Sequence, residues 1–228
     1  MPDMILDGVE WLGHSGFRIE LGPTTVYIDP FRCAQGPPAD LLLITHDHFD
    51  HFSRPDFERL CGPATVSFGP PAVVEHLAGD AHALAPGDEV EAGGVSVRAL
   101  AAYNTNKRSS DGRPFHPREA GGLGYLLEWR GERLYHAGDT DVIPEMDEAA
   151  GCDVALLPVS GTYVMTAQEA AEAARRLAPG VAVPMHWGTT AGSREDALEF
   201  ARRVAGVAGE PVETLVMEPA GEPVAGRN

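Results

Sequence analysis

Residues 41–51 read Leu-Leu-Leu-Ile-Thr-His-Asp-His-Phe-Asp-His. A continuous apolar run of this length is a buried strand. It opens directly into three His and two Asp within seven residues. In extended backbone His46 and His48 point the same way, so both can reach one ion. If the chain then turns into a helix, Asp50 and His51 face a second ion beside the first. Nitrogen and carboxylate ligands of this kind suit Zn²⁺, Mn²⁺ or Fe²⁺. Four ligands in one loop do not suffice for two ions, so further donors are sought at the ends of other strands. His116 precedes the Gly121-Gly122-Leu123-Gly124 entry to a strand. Asp139 lies in His136-Ala137-Gly138-Asp139-Thr140 and His186 in Pro184-Met185-His186-Trp187, each just past a strand. Asp139 has two carboxylate oxygens and can bridge two ions.

Composition narrows the function classes around this motif. The 228 residues hold 34 acids against 17 bases, a formal net charge of −17. Binding through many phosphates needs a basic stripe, so this balance opposes nucleic-acid binding and adsorption to anionic membrane. The longest apolar runs fall far short of the ~20 residues of a membrane-spanning helix. Cys33, Cys61 and Cys152 are an odd, scattered set without a CxxC, which opposes a disulfide framework and fits a reducing cytoplasm. The N-terminal residues lack the basic and apolar regions of a signal peptide. The expected organisation is a single domain over 1–228.

Glycine and proline punctuate the chain at short intervals, as turns do. Strands are expected at 9–12, 16–21, 24–28, 41–45, 65–68, 83–84, 94–102, 124–129, 132–136, 154–159, 181–185 and 214–217. Thr166-Ala167-Gln168-Glu169 is a capping box that opens a helix, which Pro179-Gly180 stops. A second helix runs from Ser193 to Ala205, and shorter ones are expected at 55–60 and 71–78. A faint internal repeat pairs Gly16-Phe17 through Asp29 with Gly124-Tyr125 through Asp139, and Asp40–Ile44 with Asp153–Leu157. It predicts two mixed halves packed against each other.

The run His46-x-His48-x-Asp50-His51, followed by His116, Asp139 and His186, resembles the metallo-β-lactamase superfamily of metal-dependent hydrolases. Leu12-Gly13-His14-Ser15-Gly16-Phe17 and Tyr27-Ile28-Asp29-Pro30-Phe31 are similar to the branch of ascorbate-phosphate lactonase-like proteins and of the phospholipase D acting on N-acylphosphatidylethanolamine. The resemblance implies an α+β fold, a four-layer αβ/βα sandwich of two pseudo-repeated halves. It also implies that His46, His48 and His116 hold one metal, that Asp50, His51 and His186 hold the other, and that Asp139 bridges. The segment 103–117 departs from many relatives, because it lacks their compact His-Pro-Gly-His-Thr turn.

Other residues carry secondary expectations. Asp29 is read as a carboxylate orienting a ligand His, and His136 as a further supporting residue. His14 and Tyr163 are candidates for substrate contact or proton transfer, with Asp50 orienting the nucleophile. Lys107, Arg108, Arg113 and Arg118 place four of 17 positive charges within 12 residues and are expected to form an anion-receiving flap. The reading is a hydrolase with two divalent ions, zinc first with manganese or iron as alternatives. It would cleave an ester, lactone or similar acyl bond in a small substrate, and a homo-oligomer is compatible with it. A phosphodiesterase on the same site and a non-catalytic metal-binding or interaction protein are the alternatives.

Overall fold

Leu41 and Leu43 of the strand before the histidine loop enter one hydrophobic core, whereas Leu42 and Ile44 enter another. Side chains alternate across a strand, so this strand is covered on both faces. A computed structural model describes residues 4–34, 36–206 and 212–220; both ends of the expected 1–228 domain lie outside them. The first half contains β1 (Val9–Gly13), β2 (Gly16–Leu21), β3 (Thr24–Ile28), β4 (Ala39–Leu43), α1 (Arg54–Leu60), β5 (Cys61–Gly69), α2 (Pro71–Val74) and β6 (Asp80–Ala83). The second contains β7 (Glu89–Ala92), β8 (Val95–Ala101), β9 (Leu123–Trp129), β10 (Glu132–His136), β11 (Val154–Pro158), α3 (Ala167–Leu177), β12 (Val181–Met185), α4 (Arg194–Ala205) and β13 (Glu213–Thr214).

The strands form a 6-stranded sheet in the order β1 to β6 and a 7-stranded sheet in the order β13 to β7. In the first sheet β1, β2 and β3 pair antiparallel, and β3 to β6 pair parallel. In the second, β8, β9 and β10 pair antiparallel, and β10 to β13 pair parallel. The halves therefore repeat, with β7 added at one edge. One detail shows it at atomic level. Asp40 accepts a hydrogen bond from the backbone of Thr25 (2.8 Å), and Asp153 accepts one from the backbone of Arg133 (2.7 Å). Each Asp opens the fourth strand of its half and ties down the strand before it.

The main core lies between the sheets, with Phe17, Ile19, Val26 and Ile28 from one and Val97, Leu123, Tyr125 and Leu127 from the other. Helix α3 buries Ala170, Ala173, Ala174 and Leu177, the residues at helical spacing in the sequence. Phe57 and Leu60 of α1 and Val73 of α2 cover the outer face of the first sheet together with Leu42 and Ile44. Helix, sheet, sheet, helix is the four-layer order of an αβ/βα sandwich. No described helix is long and apolar enough to cross a membrane. The three cysteines are free, and Cys33 and Cys152 are buried.

Several elements differ from the sequence reading; β5 and β6 begin earlier than expected, at Cys61 and Asp80. Strand β7 was not expected, although Val90 and Ala92 alternate with Glu89 and Glu91 ahead of the Gly93-Gly94 turn. The helix expected at 71–78 ends at Val74, where two successive β-branched residues disfavour its continuation. The last strand covers only Glu213–Thr214, because it pairs with Val181 and Ala182 alone at the sheet edge.

Candidate metal centre

The donors converge because parallel strands deliver their C-terminal ends to one edge. His46, His48, Asp50 and His51 follow β4, Asp139 follows β10 and His186 follows β12. Gly138 makes the turn that carries Asp139 inward; it has φ 65°, and a Cβ there would stand 2.3 Å from the Leu123 carbonyl oxygen. His14, Asp29 and His186 also take left-handed backbone, with φ of 54°, 45° and 61°. Such conformations cost about 1–3 kcal/mol each and concentrate at functional sites.

Three donor groups form in which the ligand atoms lie within 4.8 Å of one another: His46, His48 and His116; His46, His51 and Asp139; and His14, Asp50, His51 and His186. Asp139 sits among them. Its Oδ2 is 3.3 Å from His51 Nε2, 3.3 Å from His116 Nε2 and 3.0 Å from His186 Nε2. All seven residues expected as ligands are thus brought together, and His14 joins them.

The imidazole tautomers follow from the hydrogen bonds. Asp29 Oδ2 accepts from His51 Nδ1 (2.7 Å) and from the Thr45 hydroxyl (2.6 Å), and Oδ1 accepts from the Thr45 backbone (2.8 Å). The Thr45 proton is then used, so the hydroxyl must accept from His46 Nδ1 at 2.9 Å. His116 Nδ1 donates to Asn104 Oδ1 at 3.0 Å. In each ring Nδ1 is engaged and Nε2 is the nitrogen left to face a cation, the orientation a metal needs. His46 Nε2, His51 Nε2 and Asp139 Oδ1 are buried without any hydrogen-bond partner. Buried polar atoms are ordinarily paired, so these three fit a divalent cation bound between them.

Charge follows the same geometry. Burial holds the His46 ring well below its usual pKa and pushes His116 down to about 4. Both rings are therefore neutral and able to ligate. Burial works against charge on His51, yet Asp139 and Asp29 outweigh it and raise its pKa well above the usual value. Burial likewise opposes the Asp139 carboxylate, but His186 and His51 hold its pKa well below the usual range. The pocket accommodates positive charge between Asp139 and Asp29.

Further residues occupy supporting places. The Ser160 hydroxyl lies 2.9 Å from His186 Nδ1, and the His14 carbonyl accepts from the His186 backbone at 2.7 Å. Asn104 Oδ1 also accepts from the His116 backbone (2.8 Å), while its amide donates to the Tyr163 carbonyl (2.9 Å). Thr45, Asn104 and Ser160 were not singled out from sequence. Each is a small polar residue just past a strand end, a signal too common to select them. His136 does not touch a ligand atom. Its Nε2 donates to the Ser15 carbonyl (2.9 Å) and its Nδ1 accepts from Gly138 (3.2 Å), so it joins the turns that carry His14 and Asp139.

The basic segment departs from expectation. Lys107 is held by Asp141 (3.2 Å) and Glu169 (2.7 Å), Arg113 by Asp111 (2.7 Å) and Arg118 by Glu145 (2.6 Å), while Arg108 donates to the Gly112 carbonyl (2.8 Å). None of the four lines the cavity above the donors. In place of an anion-receiving flap, the segment is a hairpin closed by an Arg108–Pro114 bridge that delivers His116. Asp141 Oδ2 fastens its base by accepting from the backbones of Thr105 (2.7 Å) and Asn106 (2.8 Å).

Burial works against the Glu169 charge, but Lys107 and the Thr166 and Asn106 hydrogen bonds hold its pKa down at about 2 against an ordinary 4.5. A lowered carboxylate pKa contributes stability that is fully present above the unfolded value and lost as pH falls through the folded one. Glu169→Gln is expected to cost about 1–2 kcal/mol at neutral pH, discounted for partial exposure. That gap should close as the pH falls from 4.5 towards about 2. Urea unfolding across this range checks it; a gap that persists at the acid end would assign the loss to helix capping alone.

Fold and donor set define a metallo-β-lactamase fold with a His/Asp cluster at its sheet ends. The family model described as a beta-lactamase superfamily domain matches residues 8–186, the span from β1 to the last donor. A UPF0173 metal-dependent hydrolase of Methanopyrus kandleri is 33% identical over 229 residues, covering 92% of this chain and 96% of that protein. One from Rubrobacter xylanophilus is 33% identical, covering 94% and 95%. The chain belongs to these UPF0173 metal-dependent hydrolases of the beta-lactamase superfamily. Among solved structures, Igni18, a metallo hydrolase of Ignicoccus hospitalis, is 26% identical with a TM-score of 0.75, covering 93% of this chain and 95% of that one. A structure from Parabacteroides distasonis is 28% identical with a TM-score of 0.79, covering 91% of each chain.

Proposed function

We propose that this hydrolase holds two divalent transition-metal ions, zinc first with manganese or iron as alternatives, and cleaves an ester, lactone or similar acyl bond in a small molecule. The observation that carries the reading is Asp139 lying within 3.3 Å of imidazoles from two donor groups, His116 from one and His51 and His186 from another. His46, His48 and His116 would hold one ion, and Asp50, His51 and His186 the other, with Asp139 between. When bound, such ions supply an acidified water and a Lewis acid for the substrate oxygen.

The protein's own residues orient and move protons around that chemistry. Asp50 Oδ2 lies 3.1 Å from His14 Nε2 and accepts from the Thr190 hydroxyl at 3.1 Å. Burial works against its charge, but His14 and His51 hold its carboxyl below the usual range. Asp50 is thus an ionised acceptor fixed in direction, suited to orient the attacking water and take its proton. Burial pushes His14 down to about 4, so His14 positions Asp50 as a neutral donor. Tyr163 lines the same cavity as His186 and Asp50 and would hydrogen-bond substrate or protonate the leaving oxygen.

Metal reloading of chelator-stripped protein tests the reading. About two ions per chain are expected, with hydrolysis of neutral esters or lactones lost on stripping and restored on reloading. A stoichiometry that stays below about one after reloading sinks the two-ion assignment. Turnover of phosphodiesters alone would transfer the site to the second reading. The absence of Lys and Arg from the cavity lining counts against that alternative.

A further inference from the structure

The donors form the floor of a cavity of about 380 Å³ whose walls include Phe49, Phe115 and Tyr163. These rings come from three separate loops: the histidine loop, the 103–117 hairpin and the segment after β11. Phe49 is the informative one. It stands between the ligands His48 and Asp50, yet is 68% exposed. It forgoes the burial a side chain of this type ordinarily gains, and a covered Phe31 packs against it at 5.9 Å and 79°. Phe115 and Tyr163 meet edge to face at 4.8 Å and 86°. Each edge-to-face contact uses the edge of one ring and one face of the other, so Phe49, still 68% exposed, keeps ring surface open at the cavity, and aromatic partners prefer offset-stacked or T-shaped contact with such surface.

Electrostatics select further. The four neighbouring basic side chains are committed to Asp141, Glu169, Asp111, Glu145 and the Gly112 carbonyl. Arg118 also stacks on Tyr103 at 4.9 Å, away from the cavity. The chain as a whole carries −17, and a field of that sign repels anions. A cavity of about 380 Å³ lies near the small end of the ~300–1,000 Å³ range of ligand sites, which matches one ring plus a small polar group.

We infer that the cavity selects an uncharged substrate carrying a single aromatic ring next to the bond that is cut, with Phe49, Phe115 and Tyr163 as the specificity-determining side chains. The inference rests on the acyl-hydrolase reading above. It replaces the anionic substrate expected from the basic segment.

Four acetate esters test it on the metal-loaded protein: ethyl, butyl, benzyl and 4-carboxybenzyl acetate. Benzyl acetate should exceed ethyl and butyl acetate in kcat/KM by roughly tenfold, the order of one or two aromatic contacts. The 4-carboxylate should remove most of that gain. Phe49→Ala and Phe115→Ala should each lower the benzyl-to-butyl ratio, chiefly through KM, and Phe49→Tyr should restore it. Binding of benzyl alcohol and of butanol, followed by saturation-transfer NMR, gives a readout independent of turnover. Esters hydrolysed with ratios near one, a preference for butyl or 4-carboxybenzyl acetate, or a ratio insensitive to both phenylalanines would overturn the inference and leave the hydrolase reading standing. No hydrolysis, but benzyl alcohol bound in preference to butanol and released by Phe49→Ala, would retain the inference and sink the acyl-hydrolase reading. Absence of both hydrolysis and benzyl alcohol binding would overturn the inference.

Discussion

Asp139→Ala is expected to empty both metal positions, whereas His51→Ala should mainly weaken one. The difference lies in the number of free donor atoms. His51 spends Nδ1 on Asp29, at 2.7 Å, and has only Nε2 left. One nitrogen serves one ion. Asp139 has Oδ2 near three imidazoles and Oδ1 buried without a partner, so its two oxygens can serve two. Removing it also takes away the negative charge that makes a cationic centre tolerable at a site only 4% exposed. Loss of the Lewis acid and of the acidified water amounts to several kcal/mol of barrier, or roughly 10³-fold or more in rate. Elemental analysis of both variants after identical reloading decides the matter, with circular dichroism to verify folding. Full occupancy in Asp139→Ala would remove the bridging role.

The second large effect is expected at a residue that contacts no metal. Asp29 is fully buried and accepts three hydrogen bonds, from the Thr45 backbone, the Thr45 hydroxyl and His51 Nδ1. Those bonds fix the tautomers of His51 directly and of His46 through Thr45. Asp29→Ala should lower metal affinity by about 10–100-fold, the usual penalty for losing the partner of a ligating histidine. It should also destabilise the protein, since each buried donor left unpaired costs about 1–3 kcal/mol. Asp29→Asn should fall between the two, because one carbonyl oxygen cannot accept from all three donors and its amide opposes one of them. Competition against a chelator measures the affinity and urea unfolding the stability. An Asp29→Ala protein with unchanged metal affinity would show that the histidines hold their orientation without it.

The two halves of the metal centre were not equally legible. Residues 45–51 announce themselves through density, because three histidines in seven residues at the end of an apolar strand have no ordinary packing explanation. His116, Asp139 and His186 are single residues, and each was found only by searching strand ends for donors to complete a set. The pairing within the basic segment 107–118 was illegible for a related reason. Composition shows how many charges lie close in sequence, but not that Asp141 and Glu169, 34 and 62 residues on from Lys107, take its ammonium. Asn104 and Ser160 gave no signal at all, since their role is defined by a histidine elsewhere in the chain.

What the sequence alone determined is whatever depends on periodicity and local chemistry. The continuous apolar run of β4, the capping box of α3, the tandem order of the halves and the donor types of the centre all belong to this class. They act over a few residues, where backbone geometry leaves few options. The tertiary structure alone decided which donor atoms lie near one another, which nitrogen of each imidazole faces them, which charges are already paired and that two phenyl rings and one phenol ring line the cavity at the donors. These depend on sheets folding together over a hundred residues or more of separation. At that distance a fraction of an ångström, set by core packing, decides whether two side chains touch.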